Sequence, residues 1–192
     1  MSDDVQEVYA IADARVDRRS PNNFLGGDPH DVPMPLAYYV WLIVSASGRT
    51  VVVDTGFDQR GADLRKREIT LPVGQGLRDF GVDGAAVEMS SSPICATTTA
   101  HLQAVRVRTR RGFVVLASDV AHFYAHLDQR RPYPVIDSVP AMLEGFATVE
   151  RLASSRDHVI PGHDPIVKAI YPAARPGSGD WAVRLDAEPK PR

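Results

Sequence analysis

The 192-residue sequence holds a single cysteine, Cys95, so no disulfide can close within the chain. It also lacks a charge bias. Its 22 lysines and arginines face 24 aspartates and glutamates, and a net charge of −2 predicts no pull toward nucleic acid or anionic lipid. The longest apolar run, Leu36 to Val44, is about half of what a bilayer span requires, which argues against a membrane protein. The opening residues, Met1 to Glu7, are acidic and carry neither the basic nor the apolar region of a signal peptide, so a cytoplasmic chain is expected. What remains is the balance of one globular domain, with 44% hydrophobic residues. A domain of this size buries roughly 70% of its unfolded surface and needs no disulfide or structural metal merely to fold.

A repeated unit stands out, two strands joined by a tight turn and ending in an aspartate. Tyr38 to Val44 turns through Ser45-Ala46-Ser47-Gly48-Arg49 into Thr50 to Val53 and Asp54. Leu102 to Thr109 turns through Arg110-Arg111-Gly112 into Phe113 to Leu116 and then Ala117-Ser118-Asp119. β-Branched and aromatic enrichment with glycine turns reads as hairpins. The inner strands, Val51 to Val53 and Phe113 to Leu116, are apolar throughout, which predicts cover on both faces. Arg106 and Arg108 alternate with Val105 and Val107, so the basic cluster that continues into Arg110 and Arg111 is the wet face of a hairpin; no aromatic interleaving supports nucleic-acid binding.

Helical periodicity is strongest from Pro140 to Ser155, with Met142, Leu143, Phe146, Val149 and Leu152 on one stripe and a start at Ser138. Gln59 to Glu68 reads equally as a charged surface helix or a solvated loop. Asp157 to Ile160 reads as a short strand leading into Pro161-Gly162-His163-Asp164. The stretch from Gly84 to Ala100 is serine- and threonine-rich, with no period that builds a strand or helix, and Cys95 within it reads as an unreactive thiol. From Arg175 onward proline, glycine and charge predict a loosely held tail, residues 175–192. The whole is an α/β chain, two sheet-forming halves with helices outside, which predicts a four-layer αββα sandwich over residues 1–174.

A carboxylate at the end of an apolar strand is costly to bury unless it is paired, hydrogen-bonded or bound to a cation. Asp54 and Asp119 stand at such ends, and His163 follows a Pro-Gly corner. The alternative for either aspartate is a turn cap through its own side chain. His126 and His158 read as ordinary surface or internally satisfied histidines.

Val51-Val52-Val53-Asp54-Thr55-Gly56, Val114 to Asp119 and Val159-Ile160-Pro161-Gly162-His163-Asp164 resemble three of the five signature segments of the metallo-β-lactamase superfamily, and more narrowly its N-acyl-homoserine lactonase branch. The likeness extends through Asp28 to Pro35, Leu143-Glu144-Gly145 and Tyr171-Pro172. The resemblance implies a hydrolase with two metal ions, usually zinc, in which a bridging water or hydroxide attacks the carbonyl of a small-molecule lactone or ester. It assigns Asp119 as the bridging carboxylate, His163 as a terminal metal ligand and Asp54 as a carboxylate supporting the site from behind a strand. His122 stands where such lactonases place a tyrosine that assists the substrate carbonyl or leaving oxygen.

The principal ligand motif of that family, His-X-His-X-Asp-His, is absent, and no two of the six histidines are spaced i, i+2. It belongs near residues 84–100, where the chain reads as internally shortened. The remaining family histidine falls at Thr98, with His101 three positions later as a possible substitute ligand. Asp119 and His163 alone are too few for a catalytic zinc, which normally keeps three protein ligands, so His101 or His122 would have to join them. Three readings follow: a lactonase-type hydrolase, a catalytically silent shortened relative acting as a binding or structural module or lacking a function, and a thioesterase or phosphodiesterase of the same fold. Counted by ligands, the silent relative is expected, with less than one equivalent of zinc and no lactone turnover. The shortening would also bare apolar edge and face, favouring association of the chain with itself.

Overall fold

A computed structural model describes residues 5–83 and 102–192, together with the backbone course of 95–97. Its first strand, β1 (Glu7–Val16), pairs antiparallel with β2 (Leu36–Val44), which pairs in turn with β3 (Thr50–Val53). The expected first hairpin is therefore β2–β3, while β1, beside it, is an element that the sequence pattern did not announce. Helix α1 (Gln59–Arg65) follows, capped by the Asp58 carboxylate, which accepts from the Gly61 N–H at 2.6 Å. Lys66 closes it in the left-handed region, so the charged segment is helix for its first seven residues only. Strand β4 (Glu68–Ile69) and helix α2 (Val73–Asp79) complete the first half.

The connecting stretch, expected to hold no strand, places Cys95–Thr97 as β5 against β6 (Gln103–Thr109). Backbone pairing at a sheet edge needs no hydrophobic period, which is why the composition there did not signal it. The proposed shortening near 84–100 otherwise falls outside the described residues, as does His101. The second hairpin is β6–β7, with β7 spanning Gly112–Leu116. Short helix α3 (Tyr124–Gln129) and long helix α4 (Val139–Leu152) follow, the latter capped by the Ser138 hydroxyl on the Ala141 N–H as its sequence predicts. Strand β8 (Val159–Ile160) runs parallel to β7, and α5 (Ile166–Ile170) and β9 (Ala182–Arg184) end the chain.

Two sheets result, ordered β3-β2-β1-β4 with β9 also on β1, and β5-β6-β7-β8. Alternate residues of the strands divide between separate apolar clusters, as the period of two requires. Val8, Ala10, Tyr39, Trp41 and Ile43 of the first sheet share a cluster with Val107, Val114, Leu116 and Ile160 of the second. Their neighbours Tyr9, Ile11 and Leu42 pack instead with Leu77 of α2, and Val115 and Val159 pack with Met142, Phe146 and Val149 of α4. Val114 to Leu116 are fully buried, as expected, but Val51 to Val53 are only half-buried because β3 is an edge strand.

The C-terminal residues correct the expectation of a loose tail. Val183 and Leu185 are fully buried in the cluster between the sheets, and β9 pairs Tyr9 with Arg184 and Ile11 with Ala182. Proline and glycine there shape turns between short anchored pieces. The Arg184 guanidinium, gripped by Asp186 and Glu7, ties them to the start of β1.

Candidate metal centre

Strands β7 and β8 run side by side and finish together, and the loops that leave them build one end of the site. After β7 the Ala117 N–H donates to the Ile160 carbonyl, and Ser118 takes a φ of 48°. A single 3-10 turn, Ser118–Val120, then turns Asp119 outward. After β8 the Pro161-Gly162-His163 corner lies against that turn. A Cβ on Gly162 would stand 2.4 Å from the Ser118 carbonyl oxygen, so no larger residue fits. Two backbone bonds lock the loops together, Gly162 N–H to Ala121 O at 2.9 Å and His163 N–H to His122 O at 3.0 Å. We expect Gly162→Ala to cost about 1–3 kcal/mol and to push His163 away from Asp119, checked by urea unfolding and by metal titration of the variant.

His163 is tied to the other sheet as well. Its carbonyl accepts from the Ala37 N–H at 2.9 Å, and its Nδ1 lies 3.1 Å from the Ala37 carbonyl. The carbonyl can only accept, so Nδ1 carries the hydrogen and a neutral ring has its lone pair at Nε2. That atom lies 2.9 Å from Asp119 Oδ1, and His122 Nε2 lies 3.4 Å from the same oxygen. A lone pair and a carboxylate oxygen so close need a proton or a cation between them. One donor atom from each of Asp119, His122 and His163 falls within 4.8 Å of the others, the geometry of a shared ion. The His122 and His163 rings beside it hold the Asp119 carboxyl well below the usual carboxylate range. Burial pushes His122 down, favouring the neutral imidazole that binds metal.

The His122 ring is fixed by Tyr133, stacked on it at 3.8 Å between centroids and 12° between planes. The Tyr133 hydroxyl donates to the Asp119 backbone carbonyl at 2.8 Å, so one tyrosine steadies two members of the cluster. His126, by contrast, is fully buried with Nε2 on the Asn23 carbonyl, and burial pushes it down to about 3. His158 is likewise occupied, by the Ser155 hydroxyl and the Arg111 carbonyl.

The facing wall comes from the first sheet. Asp54 takes a φ of 70° and is exposed, its Oδ1 accepting from the Thr55 and Gly56 N–H groups. It caps its own turn while lining the same cleft as Asp119 and His163, an opening of about 1380 Å³. The sequence reading missed Asp13. The register of β1 against β2 slips between Ala12 and Ala14, and this bulge re-aims Asp13 toward the cleft. Its Oδ2 accepts from the Phe57 N–H at 3.3 Å, while its buried Oδ1 has no partner.

Burial raises the Asp13 carboxyl to about 6. Because its folded value lies above the unfolded one, its favourable contribution is complete below about pH 4 and is lost as pH rises through about 6. Asp13→Asn is therefore expected to be more stable than the parent at pH 8, the gap closing toward pH 4; urea midpoints across that range check this.

No family model matches the chain, and no curated protein matches it in sequence. One solved structure that resembles it is described as a quorum-quenching N-acyl homoserine lactone lactonase, with a TM-score of 0.63 and 13% identity over 86% of this chain and 95% of that one. The chain has the fold of that lactonase, the metallo-β-lactamase fold expected from its strand-end motifs.

Proposed function

We propose that this chain is a hydrolase that holds one divalent metal ion, zinc by its donor set, on Asp119, His122 and His163, and opens a lactone or related ester. The observation that carries this reading is the convergence of those three donors within 4.8 Å. His122 supplies the third ligand that Asp119 and His163 alone lack, and two imidazoles with one carboxylate leave positions open for water and substrate, as catalytic zinc sites do. The three apolar clusters also support the four-layer αββα arrangement.

A bound cation there supplies Lewis-acid polarisation of an ester carbonyl and lowers the pKa of water. The chain's own residues orient and shield. His163 is aimed through Ala37 and His122 through Tyr133, so neither ring needs to reorganise on binding. Tyr38, its ring 4.7 Å from that of His163, is pushed up by burial and stays a neutral phenol on the cleft wall. Asp54 supports the rim through its turn, and His101 is not required for a three-ligand set.

Elemental analysis after dialysis and an N-acyl homoserine lactone opening assay test this reading. One equivalent of zinc with turnover supports it. Absence of metal would leave the catalytically silent relative, and metal with turnover only of thioesters or phosphodiesters would move the substrate class within the fold.

A further inference from the structure

We propose that Arg18 and Arg67 form an anion subsite in the cleft, so that the ester or lactone taken there carries a carboxylate or phosphate group. This rests on the hydrolase reading for the substrate's reactive half, but the subsite is built from different residues.

The arginines that lead into and flank this region divide by environment. Arg15 pairs with Asp17 at 2.6 Å and with Glu68 at 3.5 Å, and Arg19 pairs with Asp31, all outside the cleft. Arg18, between them, lines the cleft, and among the described residues no carboxylate lies within ion-pair distance of it. It shares that cleft with Tyr38 and His122. Arg67 lines the same cleft. Its guanidinium lies 5.2 Å from the centre of the Tyr38 ring, and one Nη donates to the Arg65 carbonyl at 2.6 Å. Its Nε is buried without a hydrogen-bond partner, which is costly for a charged donor unless an acceptor arrives.

The carboxylates of the cleft are engaged elsewhere. Asp119 is held by His122 and His163, Asp58 by the Gly61 N–H, Asp54 by the Thr55 and Gly56 N–H groups, and Asp13 by the Phe57 N–H. Two guanidiniums in one cleft, neither with a carboxylate partner among the described residues and one of them over the Tyr38 ring, match the planar, charge-assisted recognition of a carboxylate or phosphate. Since that ring abuts His163, an anion held there stands beside the cluster rather than on it.

The test titrates the full chain at pH 8, with and without one equivalent of zinc, with benzoate, phenyl phosphate and neutral benzamide, followed by calorimetry and amide chemical shifts. One or both anions should bind the zinc-free chain, whichever binds tighter identifying the group, and benzamide should not. Arg18→Gln and Arg67→Gln should each weaken anion binding about tenfold, and Arg15→Gln should leave it unchanged. Amide spectra of the variants confirm that they are folded. Equal binding of benzamide, or anion binding that survives both substitutions in a folded chain, would overturn the subsite. A chain that binds benzoate through Arg18 but takes up no zinc keeps the subsite and loses the hydrolase reading; one that opens neutral lactones without anion binding does the reverse.

Discussion

Asp119→Asn should weaken zinc binding by more than about 100-fold, because even groups that only support a ligand typically change affinity by 10 to 100-fold, and Asp119 is the hub of the cluster. Both imidazole Nε2 atoms point at one of its oxygens, at 2.9 and 3.4 Å. Asparagine keeps the shape but removes the charge, leaving two neutral rings to hold a dication. His163→Ala should act as strongly, since it removes a ligand together with the ring contact to the Ala37 carbonyl that aims it. Competition with a chromophoric chelator measures the affinity directly. An independent readout is the thermal midpoint, which zinc should raise in the parent chain by mass action and leave unmoved in both variants. Parent-like affinity in either variant would remove this cluster as the metal centre.

The second large effect is on stability. Phe146 is fully buried at the middle of α4, packed with Val115 and Val159 of the second sheet and with Val120 and Ala121, the residues between and beside Asp119 and His122. Truncation to alanine should cost about 3–5 kcal/mol, the range for buried aromatic residues that leave a cavity. Against a total stability of about 5–15 kcal/mol this is a large share, and the urea midpoint should fall accordingly. Because the cavity opens beneath the turn carrying Asp119, zinc affinity should fall with it. Exposed Leu64 on α1 is the contrast: its alanine variant should shift stability by no more than about 0.5 kcal/mol.

Much of the architecture was legible where side chains announce their burial by period. The stripe from Met142 to Leu152 and the cap at Ser138 marked α4, and the apolar run ending at Asp119 marked β7. β1 was not legible because Ala10, Ala12 and Ala14, with Asp13 and Arg15 among them, carry little β-propensity; the strand is set by pairing with β2 on one edge and with β4 and β9 on the other. Two aspartates at equivalent strand ends looked alike in sequence and differ in space. Asp119 finds His122 three residues on and His163 44 residues downstream, whereas Asp54 turns back on the Thr55 and Gly56 amides, a distinction set by which distant loop meets each strand end and carried by no local pattern. His122 was visible as a candidate, but its place among the donors depends on Gly162 meeting Ser118. Asp13 needed a register slip, and Arg18 a place in the cleft with no carboxylate partner among the described residues, neither of which is written in a spacing.

The pairing of β1 with β9 also has a bearing on how the protein is made. Tyr9 opposes Arg184, and the Val8 N–H reaches the Asp186 carboxylate across 178 positions of sequence. Contacts this remote slow folding, because a long stretch of chain must be closed before they form. On the ribosome, the strand that bears Asp13 gains this neighbour only after Ala182–Arg184 have left the exit tunnel. Until then the edge it offers to β9 is open to other chains, so synthesis includes a stage in which β1 is exposed to wrong pairing.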